Sequence, residues 1–425
     1  MHPVETYIRE LLDIRRSGEA VKETSYYGPL SHLFNEIGQT LKPKVRCIIN
    51  IKNRGAGIPD GGFFAADQLQ KGSEADPTRG QVPARGVIEI KSTGEDIQRI
   101  ATSEQVLRYL SRYRQVLVTN YRDFILVGQN ADSKAVQLES YHLADSEANF
   151  WNAATNPRKL AEDHGERLTE YLKRVMLHAA PLATTEDVAW FLASYARDAK
   201  SRIEQTDLPA LAAIRNSLEE ALGIKFKGQK GEHFFRSTLV QTLFYGIFSA
   251  WVLWCKQQKS TSQTANFHWR EAAWFLHVPM IRALFEQVSM PSKLGSLGLV
   301  EVLNWTGEAL NRIDQAAFFS KFEENYAVQY FYEPFLQAFD PELRKDLGIW
   351  YTPTEIVRYM VARVDTILRE ELEIEDGLAD PRVYVLDPCC GTGAYLVEVL
   401  KRIAANLEEV VYTLLMDQLK EGVIH

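Results

Sequence analysis

The sequence has 425 residues, a net charge of −8, 46% hydrophobic and 24% charged residues; a chain of this size can bury sizeable cores and holds two to three domains. The acidic balance provides no general attraction for phosphate, and the local cluster Arg99, Arg108, Arg112, Arg114 and Arg122 is explained as well by a solvated helix face as by a nucleic-acid surface. Cys47, Cys255, Cys389 and Cys390 make no C-x-x-C pair, charge begins at Glu5 with no secretory leader, and the apolar run from Leu239 to Cys255 is short and interrupted; free thiols, a cytoplasmic setting and no membrane span are expected.

Along the first segment, residues 1–147, helical and strand patterns alternate. Leu30, Leu33, Phe34, Ile37 and Leu41 recur at helical spacing, Val45 to Ile51 is β-rich, and Asn53 to Gly57 is turn-prone. Asp67 to Arg85 has loop composition, and Val87 to Ile90 resumes as a strand. A helix over about 103–113 leads to the strand run Val116 to Thr119, a polar turn, and the strand run Phe124 to Val127. The segment reads as an α/β domain.

Within it, Gly57-Ile58-Pro59-Asp60 ends a turn and Val87-Ile88-Glu89-Ile90-Lys91 forms a strand. Positions i and i+2 share a strand face, so Glu89 and Lys91 point together. Asp60 and Glu89 offer hard oxygen ligands for Mg²⁺, and Lys91 offers a cation to orient water or stabilise developing charge, the residue types that phosphodiester hydrolysis needs. A bare D…E-x-K recurs in unrelated proteins as a solvated strand with an ion pair. Here the order, the strand context and a following Gln105-x-x-x-Tyr109 resemble the PD-(D/E)xK nuclease family, in the branch that includes the RecB-like enzymes. The resemblance implies catalytic roles for Asp60, Glu89, Lys91 and Gln105, Mg²⁺ on Asp60 and Glu89, and a further acidic ligand at Glu23.

Residues 148–345 are almost wholly helical, clearest at 208–222, 234–254 and 269–288, the last kinked or split at Pro279. They read as an all-α connector. Trp251, Trp254, Trp269 and Trp274 could stack bases, although aromatic residues at helical spacing are more often core.

From 346 to 425 the pattern is turn, helix, strand, Gly-rich turn, helix, the opening of a doubly wound domain. Thr352, Pro353 and Glu355 fit a capping box with Thr352 as N-cap, and Tyr351 and Ile356 fit its hydrophobic staple. Val383 to Leu386 reads as a buried parallel strand feeding Asp387-Pro388-Cys389-Cys390-Gly391-Thr392-Gly393, where glycines let backbone approach a ligand at a helix N-terminus. The G-x-G-x-x-G spacing of nicotinamide enzymes is not met. The D-P-x-x-G-x-G run resembles motif I of amino-group DNA methyltransferases, and G-x-x-Y-T-P before it resembles motif X of the N6-adenine enzymes. The pair implies S-adenosylmethionine held by Thr352, Pro353, Tyr351, Asp387, Pro388, Gly391 and Gly393. Phe331 to Leu336 and Asp340-Pro341 resemble the lead-in of fused restriction-modification enzymes.

The N-P-P-Y catalytic motif of that family is not present, since none of the sixteen prolines adjoins another, and no acidic ribose-binding strand end follows before His425; the methyltransferase half is expected to continue beyond it. No Gly-Lys phosphate loop occurs, so a motor domain is not expected in this part. The reading is a multidomain α/β protein: a PD-(D/E)xK nuclease-like α/β domain, a helical connector and the start of a Rossmann-like S-adenosylmethionine-dependent methyltransferase domain. It implies a type IIG-like enzyme acting on double-stranded DNA. Rival readings are a methyltransferase with an inactive, DNA-gripping nuclease relic, and a non-catalytic cofactor-sensing DNA-binding subunit.

Overall fold

In the computed structural model the apolar stripe at Leu30, Leu33, Phe34 and Ile37 becomes one buried face of a helix, Tyr27–Gln39. The structure describes residues 1–420 except 22, 54, 71–81, 130–133, 181, 205–208, 259–265, 277–281, 284, 287–288, 291–293, 296, 321, 323–330, 342–351 and 389–392. The first helix, α1 (Pro3–Arg16), has proline in its first turn and is capped by His2, whose Nδ1 accepts the Val4 amide at 3.2 Å. It packs against α2 (Tyr27–Gln39).

Strands β1 (Val45–Ile49), β2 (Gly61–Ala65), β3 (Val87–Ile90), β4 (Val116–Thr119), β5 (Asp123–Gln129) and β6 (Ala135–His142) form a 6-stranded sheet in chain order. Only β3 and β4 run parallel, with Glu89 opposite Val118; their crossover is α3 (Ile97–Ala101) and α4 (Glu104–Leu110), capped by Asp96 and Ser103. Val87, Val116, Val118, Ile125 and Val127 meet Ile97, Val106, Tyr109 and Leu110 on one side. On the other, Phe63 meets Phe34 edge-on at 5.2 Å between ring centres. Strands β1 and β6 are the two borders of the sheet, and at β1 the Asn35 side chain accepts from the Cys47 amide at 3.0 Å and donates to the Cys47 carbonyl at 3.1 Å.

After the sheet come α5 (Glu147–Ala154), α6 (Pro157–Leu177) and α7 (Thr185–Glu204). Arg174 of α6, 0% exposed, donates to Glu139 of β6 at 2.9 Å and to Ser194 and Asp198 of α7 at 3.2 Å each. Two carboxylates around one guanidinium offset the cost of burying it. Contacts divide the chain into two compact units, Met1–Ala183 with Phe191–Gln315, and Thr184–Trp190 with Ala316–His425. The sheet and the helices expected as domains 1–147 and 148–345 thus share one unit as far as Gln315, apart from Thr184–Trp190.

That unit also holds α8 (Pro209–Leu222), α9 (Gly228–Gln258), α10 (Ala272–Phe275) and α11 (Leu299–Asn311). By length and composition α9 could cross a bilayer, and 67% of its most apolar window is buried inside the protein. Trp251, Trp254 and Trp269 are buried core residues, while Trp274 is exposed. The helical stretch expected over 269–288 is interrupted: α10 ends before Leu276, which is extended, and helical residues return at 282–283 and 285–286. Pro279, the expected break, lies outside the described residues.

In the second unit, α12 (Glu333–Phe339) buries Phe335, Leu336 and Phe339. Beyond it, α13 (Thr354–Glu370) and α14 (Ala394–Lys420) enclose a small core of Val357, Val361 and Leu378. Two expectations are corrected here. The helix starts at Thr354, with Pro353 as N-cap (ψ 139°) and no capping side chain, so Thr352 is not the cap; the Pro353 carbonyl accepts from Ile356 at 3.0 Å and Val357 at 3.1 Å. Residues 383–386 are not a strand: a strand needs a hydrogen-bonded neighbour, none lies beside them among the described residues, and Tyr384 and Leu386 are 93% and 85% exposed.

Candidate active site

The sheet brings the first set of candidates together. The Asn53 side chain accepts from the amides of Gly55 at 2.8 Å and Gly57 at 3.3 Å, closing the turn that leads into β2. Gly57 takes φ +109°, and a Cβ there would come within 3.3 Å of the Tyr109 ring. Asp60 then lies against β3: its Oδ2 accepts the Ile90 amide at 2.7 Å and its Oδ1 accepts the Tyr27 hydroxyl at 2.9 Å.

Glu89 is 1% exposed and its Oε1 pairs with Lys91 Nζ, which also donates to the Ile90 carbonyl at 3.1 Å. The i, i+2 expectation is met, and the side chains face α4 where Tyr109 lies. Burial raises the pKa of Glu89, outweighing the Lys91 hydrogen bond and charge. Burial pulls Lys91 down, but Glu89 beside it, with Asp60 and Glu23 near, leaves its pKa raised, so the ammonium keeps its proton.

Gln105 does not reach the carboxylates. Its Nε2 donates to the Tyr109 hydroxyl at 2.9 Å, and that hydroxyl donates to the Ile58 carbonyl at 2.9 Å. Burial pushes the Tyr109 hydroxyl up to about 12. Glu23 lies between α1 and α2 rather than on a helix, and its Oε1 is 3.3 Å from the Tyr27 hydroxyl. Tyr27 is the residue that sequence reasoning misses: its only sequence signal is a spacing of four from Glu23, and its bond to Asp60 spans 33 positions.

The fit for Mg²⁺ rests on the acid pair. Among the described residues no group of three or more His, Cys, Asp or Glu could hold a metal. Mg²⁺ keeps several waters and binds through one or two carboxylates, so Asp60 and Glu89 suffice. Glu89 Oε2 is buried with no hydrogen-bond partner, leaving a lone pair for a ligand.

Two of the second set, Asp387 and Pro388, line a cavity of about 260 Å³ in the C-terminal unit, with Met360, Val361, Leu386 and Tyr395 among others. It is apolar with one carboxylate, and smaller than the roughly 300–1,000 Å³ of ordinary ligand sites. Asp387 and Pro388 line it; Thr352 and Pro353, at the start of α13, do not. Gly393 takes φ +78° and faces open space, as a turn approached by a ligand requires. Tyr351 and Gly391 lie outside the described residues. The residues described fit one wall of an S-adenosylmethionine site.

Residues 325–418 match the profile of the N-6 DNA Methylase family, and that stretch includes every cofactor candidate named above. The C-terminal part of the chain is thus N6-methyltransferase-like, which implies use of S-adenosylmethionine. Among solved structures the chain is similar to one described as "cryoEM structure DrdV-DNA complex", with 20% identity, a TM-score of 0.34, and coverage of 96% of this chain and 35% of that one. The chain therefore spans about a third of the length of that match. No curated protein sequence matches it.

Proposed function

We propose that this chain belongs to a restriction-modification enzyme whose N-terminal site cleaves unmodified double-stranded DNA and whose methyltransferase-like part serves the methylation of adenine at N6. The observation that carries the nuclease half is the meeting of Asp60, Glu89 and Lys91 across β2 and β3. Asp60 and Glu89 would hold Mg²⁺, which when bound polarises the phosphate and lowers the pKa of water. Lys91, kept charged by its carboxylate neighbours, would stabilise the charge that develops on the phosphate. Glu89, nine-tenths and more out of solvent, would present its free oxygen to the cation in a dry setting. Thr352, Pro353, Tyr351, Asp387, Pro388, Gly391 and Gly393 would surround S-adenosylmethionine, the methyl donor.

The test is to incubate the full-length protein with unmethylated phage DNA and Mg²⁺, with and without S-adenosylmethionine, beside Asp60→Ala. Discrete fragments from wild type alone support the reading. Intact DNA that gains N6-methyladenine would favour the inactive, DNA-gripping nuclease relic; intact and unmethylated DNA with S-adenosylmethionine bound would favour the cofactor-sensing subunit.

A further inference from the structure

Asp60 is held from two sides, by the Ile90 amide on Oδ2 and by the Tyr27 hydroxyl on Oδ1. A phenol has one hydrogen to donate. At 2.9 Å from Asp60 and 3.3 Å from Glu23, the Tyr27 hydroxyl gives it to the nearer carboxylate and keeps the other in reach. The ring does not wander, because Tyr27 opens α2, whose apolar face is buried in the core. Glu23 is located in turn by its backbone: the Tyr121 hydroxyl donates to its carbonyl at 2.5 Å, and Tyr7 donates to the Tyr121 carbonyl at 2.7 Å. Even so, the Glu23 carboxylate joins no group of three acids that could hold a cation among the described residues.

We infer that Tyr27 is a positioning residue of the cation site, and that Glu23 acts on Asp60 through the Tyr27 hydroxyl as an outer carboxylate and not as a ligand. The inference rests on the nuclease reading of this site. It replaces a three-carboxylate site by a two-carboxylate site with a shared donor behind it. In this arrangement the hydroxyl fixes Asp60 in the orientation that leaves its outer lone pairs free. With a cation on Asp60, the Tyr27 hydroxyl would still have the Glu23 carboxylate within reach as an acceptor.

The experiment is a calorimetric titration of the full-length protein with MgCl₂, in wild type, Tyr27→Phe, Glu23→Gln, the double variant and Asp60→Asn, with thermal melting to check folding. Asp60→Asn should abolish binding, and Tyr27→Phe should weaken it by about 10–100-fold, as loss of an outer-shell partner does. Glu23→Gln should weaken it in the wild-type background and have no further effect in Tyr27→Phe, a non-additivity that a merely structural role does not produce. Loss of binding in Glu23→Gln equal to that in Asp60→Asn makes Glu23 a ligand and overturns the inference, as does wild-type affinity in Tyr27→Phe. Should Tyr27→Phe not fold, the Glu23→Gln result decides alone. A folded wild type that takes up no Mg²⁺ overturns the nuclease reading and the inference together, a failure distinct from the others.

Discussion

The hydroxyl of Tyr109 donates to the backbone carbonyl of Ile58 at 2.9 Å, tying the turn that precedes Asp60 to the helix that covers β3. Tyr109→Phe would remove the hydroxyl from both the Ile58 carbonyl and the Gln105 amide, in a part-buried setting. The expected cost is about 0.5–1.5 kcal/mol in urea unfolding. On the nuclease reading DNA cleavage falls with it, because the turn that presents Asp60 loses its tie to α4.

Gly57→Ala should destabilise for a different reason. Its φ of +109° is strained for any L side chain, and the added methyl would crowd the Tyr109 ring. A loss of about 1–3 kcal/mol is expected, measured by chemical denaturation, and Gly55→Ala, which has the same sign of φ but open space, isolates the backbone share.

Arg174→Met removes the cation shared by Glu139 and Asp198 while keeping much of the volume. Both carboxylates are almost fully buried, at 2% and 1% exposure, so breaking the group should cost about 3–5 kcal/mol. A melting temperature unchanged from wild type would show that the network carries no net stability.

Glu170 sets an acid-dependent contribution to stability. Burial alone would raise its pKa, but Arg197 at 2.6 Å and Lys173 at 2.9 Å lower it to about 2. Its folded value thus lies below the unfolded value of about 4.3, so the folded state binds the proton less readily. The stabilisation, on the order of 3 kcal/mol, is full above the unfolded pKa and is lost as pH falls through that value towards about 2. Wild type and Glu170→Gln should therefore differ most at neutral pH and converge in melting experiments at the acid end of that window.

In the C-terminal unit, Asp387→Ala should weaken S-adenosylmethionine binding in calorimetry with little change in melting temperature, because Asp387 lines the cavity from a segment that is largely exposed. Equal affinity in the variant would remove Asp387 from the proposed site.

Local rules carry much of this architecture. Glu89 and Lys91 are readable because a strand fixes i and i+2 on one face whatever surrounds it, and Asp96 and Ser103 because a cap is a local bond. Tyr27 is unreadable in advance: it meets Asp60 only after a helix and two strands have packed. Gln105 lies on the helix its spacing indicates, but spacing on a helix says which side a residue faces and not which acceptor it takes, here the Tyr109 hydroxyl. Val383 to Leu386 has strand composition, but β-propensity describes a fit to a pleated, half-buried surface and not an intrinsic backbone choice. Without a neighbour the same residues lie bare.

The pairing of Asn35 with Cys47 has a consequence for how molecules of this protein meet one another. A bare border strand invites the backbone of a second molecule to extend the sheet, the first step towards strand-exchanged assemblies and fibrils. Midway along β1 that invitation is withdrawn: both backbone groups of Cys47 are already occupied by a side-chain amide that mimics a neighbouring peptide unit. Asn35, carried by the helix that lies along β1, thereby makes this border of the sheet less receptive to foreign strands at its middle.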